Sequence, residues 1–381
     1  MNTKLKKLTI LCATATASGH LAASTIAIDA RGDAMGGTGV VSASYLTAPF
    51  YNPALTAIYR RNDDAGMLVP TLGISYDDQD NMLDKADDAF NAANSGDAAA
   101  TQAALSALSG TQANVDFGGA VAFGLPNRYI AANIFGKAYV ENVATPDIAP
   151  NTGNAITQAE DSAIKTASVA VTEIGISLAK YQTLFGQHFS FGVSPKLQRI
   201  YTYTSVNSLQ DFKFDNIREE STGETALNLD AGALWFHGPF RVGFSAKNML
   251  SRNIQTKSGV TRIGSRDVAY GYEYQLQPLY TVGAGFIADY FQFSVDYDIN
   301  KEKKFTQFDD DVQMFRAGVE VDLVRQIQLR GGYYKNLARD SEGTLTAGIG
   351  LRPLNIIELD IAASYTSPQA MGASINFVAT Y

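Results

Sequence analysis

The chain is poor in the residues that most site chemistry requires. It holds one cysteine, Cys12, one tryptophan and three histidines in 381 residues. A single cysteine gives no disulfide framework and no thiolate metal site. His20 lies in the N-terminal leader, while His188 and His237 stand far apart in sequence, each beside a short turn. No His/Asp/Glu spacing suits a metal. A Ser/His/acid site needs a histidine within reach of its nucleophile, and these positions offer none, so no enzyme and no cofactor is expected. No stretch of about 18 apolar residues follows the leader, which excludes a membrane-spanning helix. Positive charge is also short. Lys and Arg number 30 against 38 Asp and Glu, for a net charge of -8. A general nucleic-acid-binding surface is basic, so direct nucleic-acid binding is not expected.

The leader has its own logic. Lys4, Lys6 and Lys7 precede the apolar run Leu8–Ala13, and small residues follow to Ser24. That is a signal peptide over 1–24, with a cut expected near Ser24–Thr25. Its apolar run is too short to span a bilayer. Leu11 stands before Cys12 where a lipoprotein requires a small residue, so Cys12 reads as an ordinary apolar position. Cleavage removes three lysines and no acid, leaving a mature chain without cysteine at -11.

What the chain has instead is alternation. Phe291, Phe293, Val295, Tyr297 and Ile299 share one face of an extended run, and Gln292, Ser294, Asp296 and Asp298 share the other. Phe315–Leu323 and Ile357–Ser364 sort the same way. A helix would scatter these residues around its axis; a strand sorts them. Such runs fall at roughly 65–76, 114–126, 128–140, 165–181, 186–204, 225–236, 238–249, 279–288, 289–300, 312–323, 326–336, 344–352, 355–366 and 371–381. Most are near the ~9–11 residues that cross a bilayer as a tilted strand. Their connections alternate short and long, the longer ones being 77–113, 141–164, 205–224, 250–278 and 301–311. Short turns on one side and long loops on the other mark an outer-membrane barrel, with the short turns and chain ends in the periplasm. The near-neutral mean hydropathy of -0.07 fits strands with one apolar face. The last strand places Ile375, Phe377, Ala379 and Tyr381 on one face, with Phe377 and Tyr381 as the barrel-assembly signal.

The expected fold is therefore all-β: a 14-stranded antiparallel transmembrane β-barrel over 65–381. Two segments interrupt it. Residues 77–113 carry Met82, Leu83, Ala86, Ala89, Phe90 and Ala93 at helical spacing and seven acids against one Lys85. They read as two short helices broken at Asn94–Asp97, forming a helical extracellular loop that is either a lid or a solvated excursion. Residues 25–64 are not strand-like. They contain Ala30-Arg31-Gly32-Asp33-Ala34-Met35-Gly36-Gly37-Thr38-Gly39-Val40, then Phe50-Tyr51-Asn52-Pro53-Ala54. No Gly-Lys-Ser/Thr follows, so this is no phosphate loop. Gly36, Gly37 and Gly39 allow close backbone approach, Asn52-Pro53 makes a turn, and Arg31 is expected to meet a luminal acid. The segment reads as an N-terminal luminal plug. Pro70 and Pro195 each interrupt a strand; each implies a bulge, a kink or an unpaired position, and Pro195 is expected near the barrel rim.

The plug signature, ARGDAMGGTGVVSAS…PFYNPA, resembles that of the FadL-type (OMPP1/TodX) outer-membrane transporters for hydrophobic molecules. The C-terminal third, from FSVDYDI through FRAGVEVDL and IQLRGGYY to TAGIGLRPLNIIELDIAAS, is more similar to a sister group, the TraF-like proteins of plasmid transfer operons. A thioredoxin-like protein shares that name, but this chain has no Cys-x-x-Cys. No hydrophobic-ligand residue matches one by one. The inward charges Lys196, Arg241, Lys247, Asp296, Asp298, Arg316, Glu320, Asp322, Arg330, Arg352, Glu358 and Asp360 read as a paired network in a plugged lumen. The resemblance implies a monomer of the bacterial outer membrane. It implies either a structural or interaction component of conjugative transfer or a channel for small hydrophobic compounds. In the FadL type an inward strand kink opens the wall sideways, a role that would fall to Pro195. Expected partners are outer-membrane lipid and lipopolysaccharide, the barrel-assembly machinery, and either transfer-apparatus proteins or a hydrophobic small molecule.

Overall fold

The computed structural model describes residues 28–59, 65–209, 222–339, 341–353 and 356–380. The expected signal peptide 1–24, residues 25–27 and 60–64 of the expected plug, and the terminal Tyr381 lie outside them. Fourteen strands form one antiparallel sheet. They are β1 (Gly66–Asp77), β2 (Ala113–Leu125), β3 (Ala131–Asp147), β4 (Ala163–Leu184), β5 (Gln187–Ser208), β6 (Thr222–His237), β7 (Phe240–Lys247), β12 (Leu279–Ile287), β13 (Phe291–Asp298), β14 (Met314–Leu323), β15 (Ile327–Asn336), β16 (Thr344–Leu351), β17 (Ile357–Ser367) and β18 (Ala370–Thr380). Each pairs with its neighbour in sequence, except that β7 pairs with β12. β1 pairs with β18 and lies alongside β2, which closes the sheet into a barrel. All fourteen alternating runs are strands of this sheet.

The alternation does in space what its period demands. On β13, Ser294 and Asp298 are fully buried and Phe293 is 45% exposed. On β18, Asn376 is buried and Phe377 faces out. The barrel is thus inverted relative to a soluble protein, polar inside and apolar outside. Ile134, Ile174, Phe191, Phe244, Leu329 and Ile361 continue the outer belt around the wall. Such a belt is stable only against an apolar surrounding.

β4 and β5 are each 22 residues long, more than twice the length of β7 or β13. β5 runs past its last pair with β6, Thr202 with Thr222, to Ser208 on the long-loop side, where it has something to cover. The 250–278 connection is a folded unit rather than a plain loop. β8 (Arg252–Gln255) pairs with β11 (Glu273–Leu276), and β9 (Gly259–Ile263) with β10 (Arg266–Tyr270). Tyr272, Tyr274, Leu276 and Phe305 pack there against Tyr139, Val143, Val169, Val171 and Ile200 on the inner wall. The acidic loop folds as two helices, Met82–Ser95 and Ala98–Leu108. Gly96 ends the first at φ 75° and Asp97 caps the second. Their apolar side, Met82, Ala86, Ala89, Leu105 and Leu108, packs on Ala113, Ala144 and Ile164 at the outer ends of the wall. Asp78 is buried and accepts from the Met82 and Leu83 amides, so it caps a helix rather than adding to a solvated acidic face.

Candidate functional site: the barrel interior

The interior is organised around residues 28–59. Asp29 caps the short helix Ala30–Ala34, and Asn52 caps the 3-10 helix Pro53–Ala57 by accepting from the Ala54 amide. Such short elements leave many backbone groups unpaired, and inward strand side chains take them up. Thr346 Oγ1 donates to Ala34 O and accepts from the Gly36 amide, both at 2.9 Å. Asp296 accepts from the Gly39 and Val40 amides at 2.7 and 3.0 Å. Asn133 donates to Tyr45 O and Leu46 O, Ser245 to Tyr51 O and Ser190 to Ala54 O. Lys247 donates to Phe50 O. These partners come from β3, β5, β7, β13 and β16, so the segment is held from all sides of the wall.

Close approach accompanies these bonds. Gly36 and Gly37 have φ of 70° and 78°, the left-handed region that favours glycine. A Cβ on Gly36 would stand 2.7 Å from the carbonyl oxygens of Ala317 and Tyr333. The wall reciprocates, since a Cβ on Gly318 would stand 2.2 Å from Met35 O.

Two charge networks line the same space. Arg330, with its side chain 1% exposed, pairs with Glu320 at 2.6 Å, with Glu358 at 3.3 Å and with Asp360. Arg31 joins it through Glu320 at 2.8 Å, and Arg352 through Glu358. Arg316 pairs with Asp298 at 2.9 Å. In the second network Lys196 meets Asp230 at 2.9 Å and Glu173 at 3.6 Å, and Gln198 donates to Glu173. Burial of charge is tolerated only with such pairing. Inside the luminal segment, burial pushes the Asp33 carboxyl well above its ordinary range, and Ser374 donates to it at 2.6 Å.

Two cavities flank the segment. A polar vestibule of about 410 Å³ opens toward the short turns, lined by Arg31, Arg241, Glu320, Gln328, Arg330 and Asp360 among others. A smaller chamber of about 100 Å³ on the long-loop side is lined by Asp116, Glu141, Lys304, Phe305, Asp310 and Tyr334 among others. The two share no lining residue. In the second, Asp310 is buried and accepts from the Phe305 amide. The acidic triplet Asp309–Asp311 therefore has an inward-turned centre. Burial pushes the Asp310 carboxyl up to about 7. Among the described residues no group of three or more His, Cys, Asp or Glu is placed to hold a metal.

The residues singled out by sequence fall into three places. Arg31, Gly36, Gly37, Gly39, Asn52 and Pro53 all stand in the luminal segment, with Asn52 also donating to Val40 O and Ala233 O. Phe377 is on the outer belt. Pro70 sits in a bulge, where the β1–β18 register shifts between Leu68 and Thr71. Pro195 sits eight residues into β5 and away from its ends, not at the rim where it was expected. Its pairing with β6 runs unbroken from His188 to Thr202. Toward β4 the pairing skips Ser194 and Pro195 without a change of register, and the Ser177 and Ser194 hydroxyls bond across the gap. Sequence reasoning missed Lys137, Glu173 and Asp230. Lys137 lies between Phe135 and Tyr139 on the inner face, so apolar residues share that face and the sorting rule fails on β3.

Comparison with known proteins places this geometry. Similar solved structures include the Ralstonia pickettii toluene transporter TbuX, at 13% identity over 92% of this chain and 96% of that one, with a TM-score of 0.55. A Pseudomonas aeruginosa FadL homologue is 12% identical over 96% and 99%, TM-score 0.56. The P. putida toluene transporter TodX is 12% identical over 92% and 96%, TM-score 0.50. At these identities the likeness concerns the fold. No curated protein matches the chain. Residues 49–298, which run from the luminal segment through β13, match the family described as F plasmid transfer operon, TraF, protein, and the chain belongs to that family.

Proposed function

We propose that the protein is a plugged barrel of the bacterial outer membrane, serving as a structural or interaction component of conjugative transfer. The observation that carries this reading is the interior. Residues 25–64 act as a plug, for which the clamp by Thr346, Asp296, Asn133 and Ser245 around residues 34–52 is the support. The charge networks favour a filled lumen over a greasy path. At Pro195 the wall lacks two pairs toward β4 but keeps its register and is spanned by Ser177 and Ser194, whereas lateral release of an apolar solute needs an opening in the wall. Family membership supplies the process. The outer apolar belt and short turns support the membrane and its orientation, with the turns in the periplasm.

A second reading is a channel for small hydrophobic compounds. It rests on the aromatic cluster of Tyr272, Tyr274 and Phe305 at the long-loop end, which would receive such a solute. Deletion of the gene separates the two. The first reading expects conjugation frequency to fall while growth on hydrophobic carbon sources such as toluene is unchanged. The converse result would replace it with the second. Recovery as a soluble periplasmic protein, without heat-modifiable mobility on gels, would remove both.

A further inference from the structure

One hairpin outruns its neighbour. β3 begins at Ala131, which pairs with Ala179, yet β4 continues to Leu184. Lys180–Leu184 therefore pairs with β5 on one side only, since residues 126–130 form no strand. At the corresponding ends of β5–β6, β7–β12, β13–β14 and β15–β16, paired strands finish within two residues of each other. Residues 180–188 are exposed on both faces of the hairpin. Its two-residue turn, Phe185-Gly186, has φ of 52° and 74°. A bulky residue in that region is strained, and Phe185 is fully exposed.

The backbone geometry of this edge follows from the turn. In a two-residue hairpin the flanking residues, here Leu184 and Gln187, exchange hydrogen bonds, and the pattern then alternates. Lys180, Gln182 and Leu184 thus bond toward β5, and the N–H and C=O groups of Tyr181 and Thr183 face the open side. Lys180 and Gln182 share the outward face of Ile176 and Leu178 but lie beyond them. Polar outward residues mean that the hairpin has left the apolar belt.

We propose that the Lys180–Leu184 edge receives an extended segment of a periplasmic protein as an added β-strand, with Phe185 gripping the end of that segment. This rests on the membrane orientation proposed above. Only a peptide backbone supplies N–H and C=O groups at strand spacing to match Tyr181 and Thr183. Lys180 and the exposed Arg128 of the adjacent turn favour an acidic flank on the incoming segment.

The test uses the full-length protein in cells. A photoreactive benzophenone amino acid in place of Gln182 is expected to give one discrete adduct, with a single periplasmic protein. Thr183→Pro removes the open-side N–H and should cut that adduct at least tenfold, while Thr183→Ala retains it. Phe185→Asp, which alters only a solvated tip, should reduce it several-fold and keeps the test intact if the proline variant fails to fold. Heat-modifiable mobility reports folding in each case. Adducts with a second copy of the chain, adducts with lipid, no adduct, or persistence in both Thr183→Pro and Phe185→Asp would overturn the proposal. Orientation is read separately. Gln187→Cys should react with an impermeant maleimide only after the outer membrane is permeabilised, and reaction in intact cells would overturn the orientation itself.

Discussion

Gly36→Ala is the most demanding test of how the luminal segment is seated. Gly36 has φ 70°, and an alanine held there costs about 1–2 kcal/mol. Its methyl would also stand 2.7 Å from two main-chain carbonyl oxygens and 2.8 Å from the Tyr333 amide nitrogen. Backbone cannot rotate away as a side chain does, so overpacking adds about 1–3 kcal/mol. Together these destabilise the seated segment by roughly 2–5 kcal/mol. The reporter is Ser42→Cys, a near-isosteric thiol at a buried position on that segment. If its reaction with a bulky reagent proceeds through local openings, the rate follows the open population. At about 1.4 kcal/mol per tenfold, Gly36→Ala should speed labelling by roughly 30-fold or more. Gly96→Ala is the control. It has the same backbone sign, φ 75°, but nothing within 4 Å of its Cβ, and it lies in the outer helical loop. It should leave the Ser42→Cys rate unchanged. Equal labelling in the Gly36→Ala and parent proteins would refute the close seating of this segment. Rapid labelling in the parent would show it to be an external tail.

Three further outcomes are expected. Arg330→Met strips the shared cation from Glu320, Glu358 and Asp360, which should cost about 3–5 kcal/mol; the temperature of the gel-mobility shift should fall, and adding Asp360→Asn should restore part of it. Asp310 binds its proton more tightly folded than unfolded, so the stability it contributes is full near pH 4 and lost as pH rises to about 7. The temperature of the gel-mobility shift should thus be lower at pH 8 than at pH 5, and Asp310→Asn should reduce that difference. Deletion of Tyr381, or Tyr381→Asp, should lower the yield of assembled barrel; full yield would count against a terminal assembly signal.

Much of the wall was legible because its code is local. A strand sorts side chains with a period of two, so Phe291–Asp298 or Ile357–Ser364 declares both its conformation and its faces within eight residues. Asn94–Asp97 likewise declared a break between two helices, because Gly96 and Asp97 each meet a short-range backbone need. The motif glycines announced close approach but not what they approach.

What only the tertiary structure decided is everything that depends on one side of the barrel facing another. Arg31 and Glu320 are 289 residues apart in sequence, and Asp296 reaches amides more than 250 residues away. No local period encodes such pairs. They exist because closure of the sheet brings inward faces around one segment. Glycine at 318 looks like a weakness in a strand until Met35 is found against it. Pro195 reads as a broken ladder until Ser177 and Ser194 are seen to span the gap. The 250–278 connection lacks the length of uninterrupted alternation that marks a wall strand, and its four short strands gain stability from the inner faces of β3–β5 that they cover. Alternation along a chain determines which way a residue points; the other walls of the lumen determine what it meets there.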